Sequence, residues 1–262
     1  IKSRDYMNQL DAYNENSEEH DKPEFDIKLD AMIPVLKKQI PVKIHAHRAD
    51  DICSAIRLGK EFDICVTLEH CSDGDRIAPI LEREKLPVML GPTLSDRSKP
   101  ELKNLTFDTY KNLSDRGIDV AIITDHPEIT IENLSLCAVM AVKHGMDEEK
   151  ALKAITSTAA KNCWIDDRVG TLEVGKDADI AVFTDLPTRF ESECVMTFID
   201  GKCVKTELLP VSLGFYKERY RKNLPYVADE IEALAILEYL NRACRPYGVE
   251  WCYSGGIMIR SK

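Results

Sequence analysis

The chain has 262 residues, 44% of them hydrophobic, enough to bury a sizeable core as one large domain or as a domain with a smaller appendage. Its 35 basic and 45 acidic side chains leave a net charge of −10, which repels polyphosphate and anionic lipid, so neither nucleic acid nor a membrane is expected as a partner. No apolar run approaches the roughly 20 residues of a membrane span, the first thirty residues are polar and acidic, unlike a signal peptide, and the cytoplasm is the expected compartment. The nine cysteines are scattered with no C-x-x-C pair and read as reduced thiols packed as small hydrophobes.

From residue 40 short apolar runs alternate with helical segments. Ile40 to Ile44 reads as a first strand, followed by ADDICSAIRLGKEF, where Ile52, Ala55, Ile56 and Phe62 share a helical face behind acids in the first turn. DICVTLEH (63–70) is a second strand, leading into the helix of DRIAPILEREK. LPVMLG (86–91) is a third, and after a loop TFDTYKNLSDRG forms a helix closed by Gly117. IDVAIITDH (118–126) is a fourth, followed by two helices, IENLSLCAVMAVKHG and DEEKALKAITSTAAKNC, the latter capped by Asp147.

Near-continuous apolar strands alternating with helices predict an α/β fold with a parallel sheet covered on its faces: a segment of a TIM-type barrel or a doubly wound sheet. No Gly-rich phosphate loop follows any strand, which weighs against the dinucleotide-binding form of the latter. After Trp164 the texture turns to β. Asp200-Gly201 between apolar runs is a two-residue hairpin signal. Beyond residue 205 the sequence predicts an amphipathic helix in ADEIEALAILEYLNRAC and a strand around VEWCYSGGIMIR.

Ionisable groups gather where the strands end. His45 and His47 close the first, Glu69 and His70 the second, Asp125 and His126 the fourth. In a β/α barrel such strand ends converge on one rim, and imidazoles with a carboxylate from separate strands suit zinc or a similar divalent ion, with a position left for water. A single histidine at a strand end is usually structural. Three ligand-type positions on three strands, in a chain with six histidines, favour a site.

On these residues the sequence resembles the later half of an amidohydrolase-superfamily enzyme, the group of imidazolonepropionase, dihydroorotase, cytosine deaminase and Xaa-Pro dipeptidase-like members. His45 matches the strand-five histidine, His70 the strand-six histidine, and Asp125 in ITDHP the strand-eight aspartate. AITSTAAKN (154–162) resembles the T-x-x-x-A-K helix, and Gly170, Leu172, Gly175, Lys176, Ala178 and Asp179 reproduce the G-x-L-x-x-G-K-x-A-D stretch.

The resemblance implies a partial TIM-type barrel, strands five to eight, in residues 1–164, with residues 1–39 as the end of the fourth β/α unit and LDAMIPVLKKQ (29–39) as its helix, and a small β-sandwich element in 165–205; residues 206–262 lie beyond the point where the family normally ends and read as a C-terminal α+β extension. It also implies a divalent metal, zinc first, held by His45, His70 and Asp125. Asp125 would be the catalytic proton carrier, His47 and Arg48 would meet a small-molecule substrate, and the reaction would be hydrolysis of amide, cyclic amide or dipeptide C–N bonds. Deaminase and imidazolonepropionase branches commonly carry a carboxylate three residues after the strand-five histidine. Arg48 stands there instead, which argues against deamination and for an anionic substrate group. The strand-one H-x-H pair and the strand-four ligand have no counterpart, so the chain reads as a fragment of the enzyme. The alternatives are an inactive half-barrel that assembles, as a homo-oligomer or with a missing N-terminal half, and a metal-dependent lyase or decarboxylase on the same fold.

Overall fold

The computed structural model describes residues 1–206, 251–254 and 257–260, in two compact units: residues 1–177 with 187–191, and 178–186 with the chain from 192 onward. In the first unit the order is α1 (Lys2–Glu15), α2 (Ile27–Asp30), α3 (Ile33–Leu36), β1 (Val42–Ala46), α4 (Ala49–Phe62), β2 (Val66–His70), α5 (Ala78–Glu84), β3 (Val88–Leu90), α6 (Asp108–Ser114), β4 (Val120–Ile122), α7 (Leu134–Lys143), α8 (Glu148–Ala154) and α9 (Ser157–Asn162). The four strands form one parallel sheet in the order β1-β2-β3-β4. This is the predicted α/β arrangement.

The sheet is built from runs that are apolar because helices cover them. Leu68, Val88 and Leu90 pack with Ile52, Ala55 and Ile56 of α4, Leu81 of α5, Tyr110 and Leu113 of α6, and the alanines of α7 and α8. Helix α4 lies so close to β2 that a Cβ on Gly59 would sit 3.1 Å from the Val66 side chain. On β1 and β2 the pleat separates two faces. Val66 and Leu68 point toward the helices, while Lys43, His45, Thr67 and Glu69 share the other face, where Lys43 Nζ lies 3.2 Å from Glu69 Oε1 and Thr67 Oγ1 donates to the same oxygen at 3.0 Å.

Two predicted helices are broken in two. LDAMIPVLKKQ becomes α2 and α3, because Pro34 lacks an N–H and is accommodated only in a first helical turn. DEEKALKAITSTAAKNC becomes α8 and α9, interrupted at Thr156 (φ −133°, ψ −100°), whose Oγ1 bonds the Leu152 carbonyl at 2.7 Å. Asp147 caps α8 as expected, accepting from Lys150 N–H at 2.9 Å. The segment 154–170 proves to be a packing device. Buried Asn162 donates to the carbonyls of Val88 and Asp119 at 3.3 Å each, fastening α9 to β3 and the start of β4. Gly170 (φ +92°) comes so close to α9 that a Cβ there would lie 2.6 Å from the Ala160 Cβ.

The second unit contains an antiparallel sheet, β5 (Ile180–Phe183), β6 (Cys194–Ile199) and β7 (Lys202–Thr206), with Val182 and Met196 buried between partly buried neighbours. The Asp200-Gly201 turn forms as predicted, both residues having positive φ (49° and 72°). Among the described residues the expected sandwich is represented by this one sheet. The expected strand near residue 251 is an antiparallel pair, β8 (Trp251–Ser254) and β9 (Ile257–Arg260). The amphipathic helix predicted in 228–244 lies outside the described residues. Among the described residues no helix is long and apolar enough to cross a membrane.

Candidate metal centre

Strand β1 delivers His45 and carries the chain on to His47, two positions later and therefore on the same side of the sheet. The neighbouring strand pairs Ala46 with His70. Strict alternation would send His70 to the helix-covered side with Val66 and Leu68. Instead its backbone is left-handed (φ +72°), as is that of Cys71 (φ +48°), and the strand stops there. Such conformations are unfavourable for residues with a Cβ and persist where surrounding contacts hold them. The turn brings the His70 ring to 4.2 Å from that of His45 and 4.7 Å from that of His47, and the His45 and His47 rings are 4.8 Å apart. One ligand atom from each of the three residues falls within 4.8 Å of the others.

Two of the rings are fixed by partners behind them. His70 is 5% exposed, and its Nδ1 lies 2.7 Å from the Gly91 carbonyl. A carbonyl can only accept, so Nδ1 donates in this bond, which turns Nε2 toward the other two rings as the nitrogen a metal would take. Gly91 (φ +137°) is itself confined, since a Cβ there would lie 2.1 Å from the Ile123 carbonyl oxygen. His47 is 6% exposed, with its Nδ1 2.8 Å from the hydroxyl of buried Ser72. The backbone around it is clamped by Asp73, whose N–H donates to the His47 carbonyl at 2.8 Å. The Asp73 carboxylate accepts from Ala49 N–H at 3.2 Å and from Asn104 Nδ2 at 2.7 Å. Asp73 thus does for the first turn of α4 what Arg48, at its N-cap position, cannot.

Burial disfavours the charged forms. It pushes the His47 imidazole down to about 4, helped by the neighbouring His70 and His45, and lowers His45 with the same assistance from His70, against the opposing carboxylates of Glu101 and Asp125. Both rings are therefore neutral at pH 7, the state a metal ligand requires. Three imidazoles, two of them anchored through Nδ1 by an oxygen behind the ring, fit a borderline divalent ion of the zinc type.

The other residues singled out in the sequence are placed differently. Asp125 lies three residues beyond the end of β4, exposed and left-handed (φ +52°), outside the three-histidine cluster though near enough to act on His45 electrostatically. Arg48 is exposed and forms a two-pronged bond to Asp50, at 2.9 and 2.8 Å. His126 accepts from Ile131 N–H through Nδ1 at 3.3 Å. Sequence reasoning passed over Ser72, Asp73, Gly91 and Glu101. Gly91 left a signal: a glycine directly after an apolar strand, at the end where ligands collect.

Residues 25–204 match the amidohydrolase family. A crystal structure of an amidohydrolase from Thermotoga maritima MSB8 is similar at a TM-score of 0.70 and 37% identity, over 78% of this chain and 55% of that one. A Xaa-Pro dipeptidase crystallised with bound methionine shares the fold, with a TM-score of 0.52 and 21% identity over 71% of this chain and 50% of the other. Among curated relatives, the imidazolonepropionase of Maricaulis maris (strain MCS10) is 30% identical over 152 residues, 55% of this chain and 35% of its own length. Amidohydrolase tasK of Hapsidospora irregularis is 24% identical over 208 residues, 78% of this chain and 21% of that protein. The chain thus spans between a fifth and about a third of the length of these curated relatives, and 55% and 50% of the two solved structures. With the match covering well over half of its residues, the chain belongs to the amidohydrolase family of enzymes.

Proposed function

We propose that this chain carries the later half of the active site of a metal-dependent hydrolase that cleaves amide C–N bonds in small molecules, cyclic amides and dipeptides among them. The observation that supports the reading most is the left-handed turn at His70, which takes that ring out of its strand's alternation and sets it against His45 with Nε2 free. The curated relatives' names point the same way, an amidohydrolase and an imidazolonepropionase among them. In this reading β1 to β4 are strands five to eight of an eight-stranded barrel, and hydrolysis requires the site contributions of strands one and four as well.

A divalent ion bound here, zinc first among candidates, would make water nucleophilic at neutral pH and polarise the scissile carbonyl. His45 and His70 hold it. Asp125, exposed on the loop after β4, takes up a proton as the carbonyl is attacked and returns it to the departing nitrogen, so the carboxylate ends the cycle as it began. Arg48 meets an anionic group of the substrate by exchanging Asp50 for it, a two-pronged geometry that suits a carboxylate.

The test compares wild type with Asp125→Ala in the complete barrel, with metal content and hydrolysis of a panel of cyclic amides and dipeptides as readouts. The expected result is an unchanged metal content with turnover reduced about 10²- to 10⁴-fold. Unchanged turnover rules out the role given to Asp125. Turnover unaffected by exhaustive chelation rules out the metal-dependent reading.

A further inference from the structure

We propose that His47 is a metal ligand, so that His45, His47 and His70 form a three-imidazole site for a zinc-type divalent ion held by this chain alone. The inference deepens the reading above, sharing His45 and His70 with it, but gives His47 the ion in place of the substrate.

Three observations carry it. His47 is 6% exposed whereas His45 is exposed, so of these two histidines it is the less available to a substrate. Its two-residue spacing from His45 puts both rings on one side of the sheet, and its ring is 4.7 Å from that of His70 on the adjacent strand. Above all, it is mounted as His70 is. Each ring has Nδ1 on a fixed oxygen, the Gly91 carbonyl at 2.7 Å and the Ser72 hydroxyl at 2.8 Å. Metal-bound histidines are characteristically held in this way, the partner behind the ring fixing the tautomer and aiming the other nitrogen. With Ser72 accepting from Nδ1–H, His47 presents Nε2 beside that of His70.

Bonds of about 2.1 Å in a tetrahedral site put ligand nitrogens roughly 3.4 Å apart. The cluster, within 4.8 Å, therefore closes by small side-chain rotations, with exposed His45 the ring freest to move. An all-imidazole set leaves the ion its full double charge and favours zinc, cobalt, nickel or copper over magnesium and calcium, which prefer oxygen. Asp125 stands outside the cluster and stays available for proton transfer.

The experiment titrates the 262-residue chain with Co²⁺, following ligand-field absorption and heat, then displaces it with Zn²⁺, with Mg²⁺ as the contrasting ion. One equivalent of Co²⁺ is expected, displaced by Zn²⁺ and not by Mg²⁺. His47→Ala should weaken binding at least as much as loss of a supporting partner does, about 10- to 100-fold, and Ser72→Ala about 10-fold, with circular dichroism and melting showing both variants folded. X-ray absorption at the zinc edge of the wild-type complex should count three imidazoles, a readout that stands even if His47→Ala fails to fold. Two imidazoles, or His47→Ala binding as tightly as wild type, would overturn the role of His47. If His45→Ala and His70→Ala still abolish binding, the metal reading survives without it. If wild type takes up no Co²⁺, or binding is indifferent to all three histidines, the site itself is refuted.

Discussion

At the end of β2 the left-handed residue is His70, 5% exposed, its ring bonded to a carbonyl that belongs to a glycine no other residue could replace without moving the backbone. Three residues past the end of β4 the left-handed residue is Asp125, exposed, its carbonyl accepting from Glu128 N–H at 2.8 Å across a local turn. The two share a backbone conformation that costs roughly 1–3 kcal/mol when a non-glycine residue adopts it, yet only the first is locked by its surroundings. Under the proposed function the contrast corresponds to two kinds of work. A ligand gains affinity from being held before the ion arrives, whereas a group that accepts and returns a proton must reach two positions and stay in contact with solvent.

Gly91→Ala is the most damaging way to break this contrast. The new Cβ would meet the Ile123 carbonyl oxygen at 2.1 Å, so the chain has to move, and a loss of about 2–4 kcal/mol in urea unfolding is expected, with metal affinity down about 10-fold as the carbonyl behind His70 shifts. A fully stable, fully binding Gly91→Ala protein would show that the β2 end is no more constrained than the loop after β4. Tyr110→Phe is milder. The buried Tyr110 hydroxyl bonds Leu90 O at 3.2 Å and Thr93 at 2.8 Å, just before and after Gly91, and its removal should cost about 1 kcal/mol in the same assay.

Asp125→Asn should change stability by no more than about 0.5 kcal/mol, because the side chain is exposed; a larger loss would make the β4 loop as structural as the β2 end. The smallest effect is expected away from both ends, where Asp108 at the start of α6 bonds His144 at 2.9 Å and has its carboxyl held below the usual range, chiefly by that bond. A carboxylate with a depressed folded-state pKa contributes stability that is complete above its unfolded value of 3.8 and is lost as the pH falls through the lower folded one. The acid limb of a stability–pH profile should therefore flatten slightly in Asp108→Asn relative to wild type.

Much of the fold was legible because period and burial coincide. The whole of α4 follows from its apolar face and first-turn acids, and the strands were found as apolar runs since both faces of β3 and β4 are buried. What failed was local. Pro34 and Thr156 each interrupt a helix whose apolar spacing continues through them. The site was half legible. The one-residue gap in His45-Ala46-His47 announces a shared face, but the meeting with His70 depends on a backbone torsion that leaves no mark on residue types, and the same pairing pattern with a regular β2 would have kept His70 away. Ser72 and Asp73 were invisible because their roles come from hydrogen bonds across 24 or more positions to His47, Ala49 and Asn104.

The strand order β1-β2-β3-β4 also bears on how the molecule assembles itself in time. Val42 pairs with Val66, Leu68 with Val88 and Val88 with Val120, so no parallel pairing closes a stretch longer than the 32 residues of the last. Loop-closure entropy grows only as the logarithm of length, and the longest of these closures costs about 0.4 kcal/mol more than the shortest. No pairing is therefore a bottleneck on entropic grounds. Loop closure alone therefore gives no pairing precedence, and the order in which the strands dock is left to the quality of the helix packing beneath them.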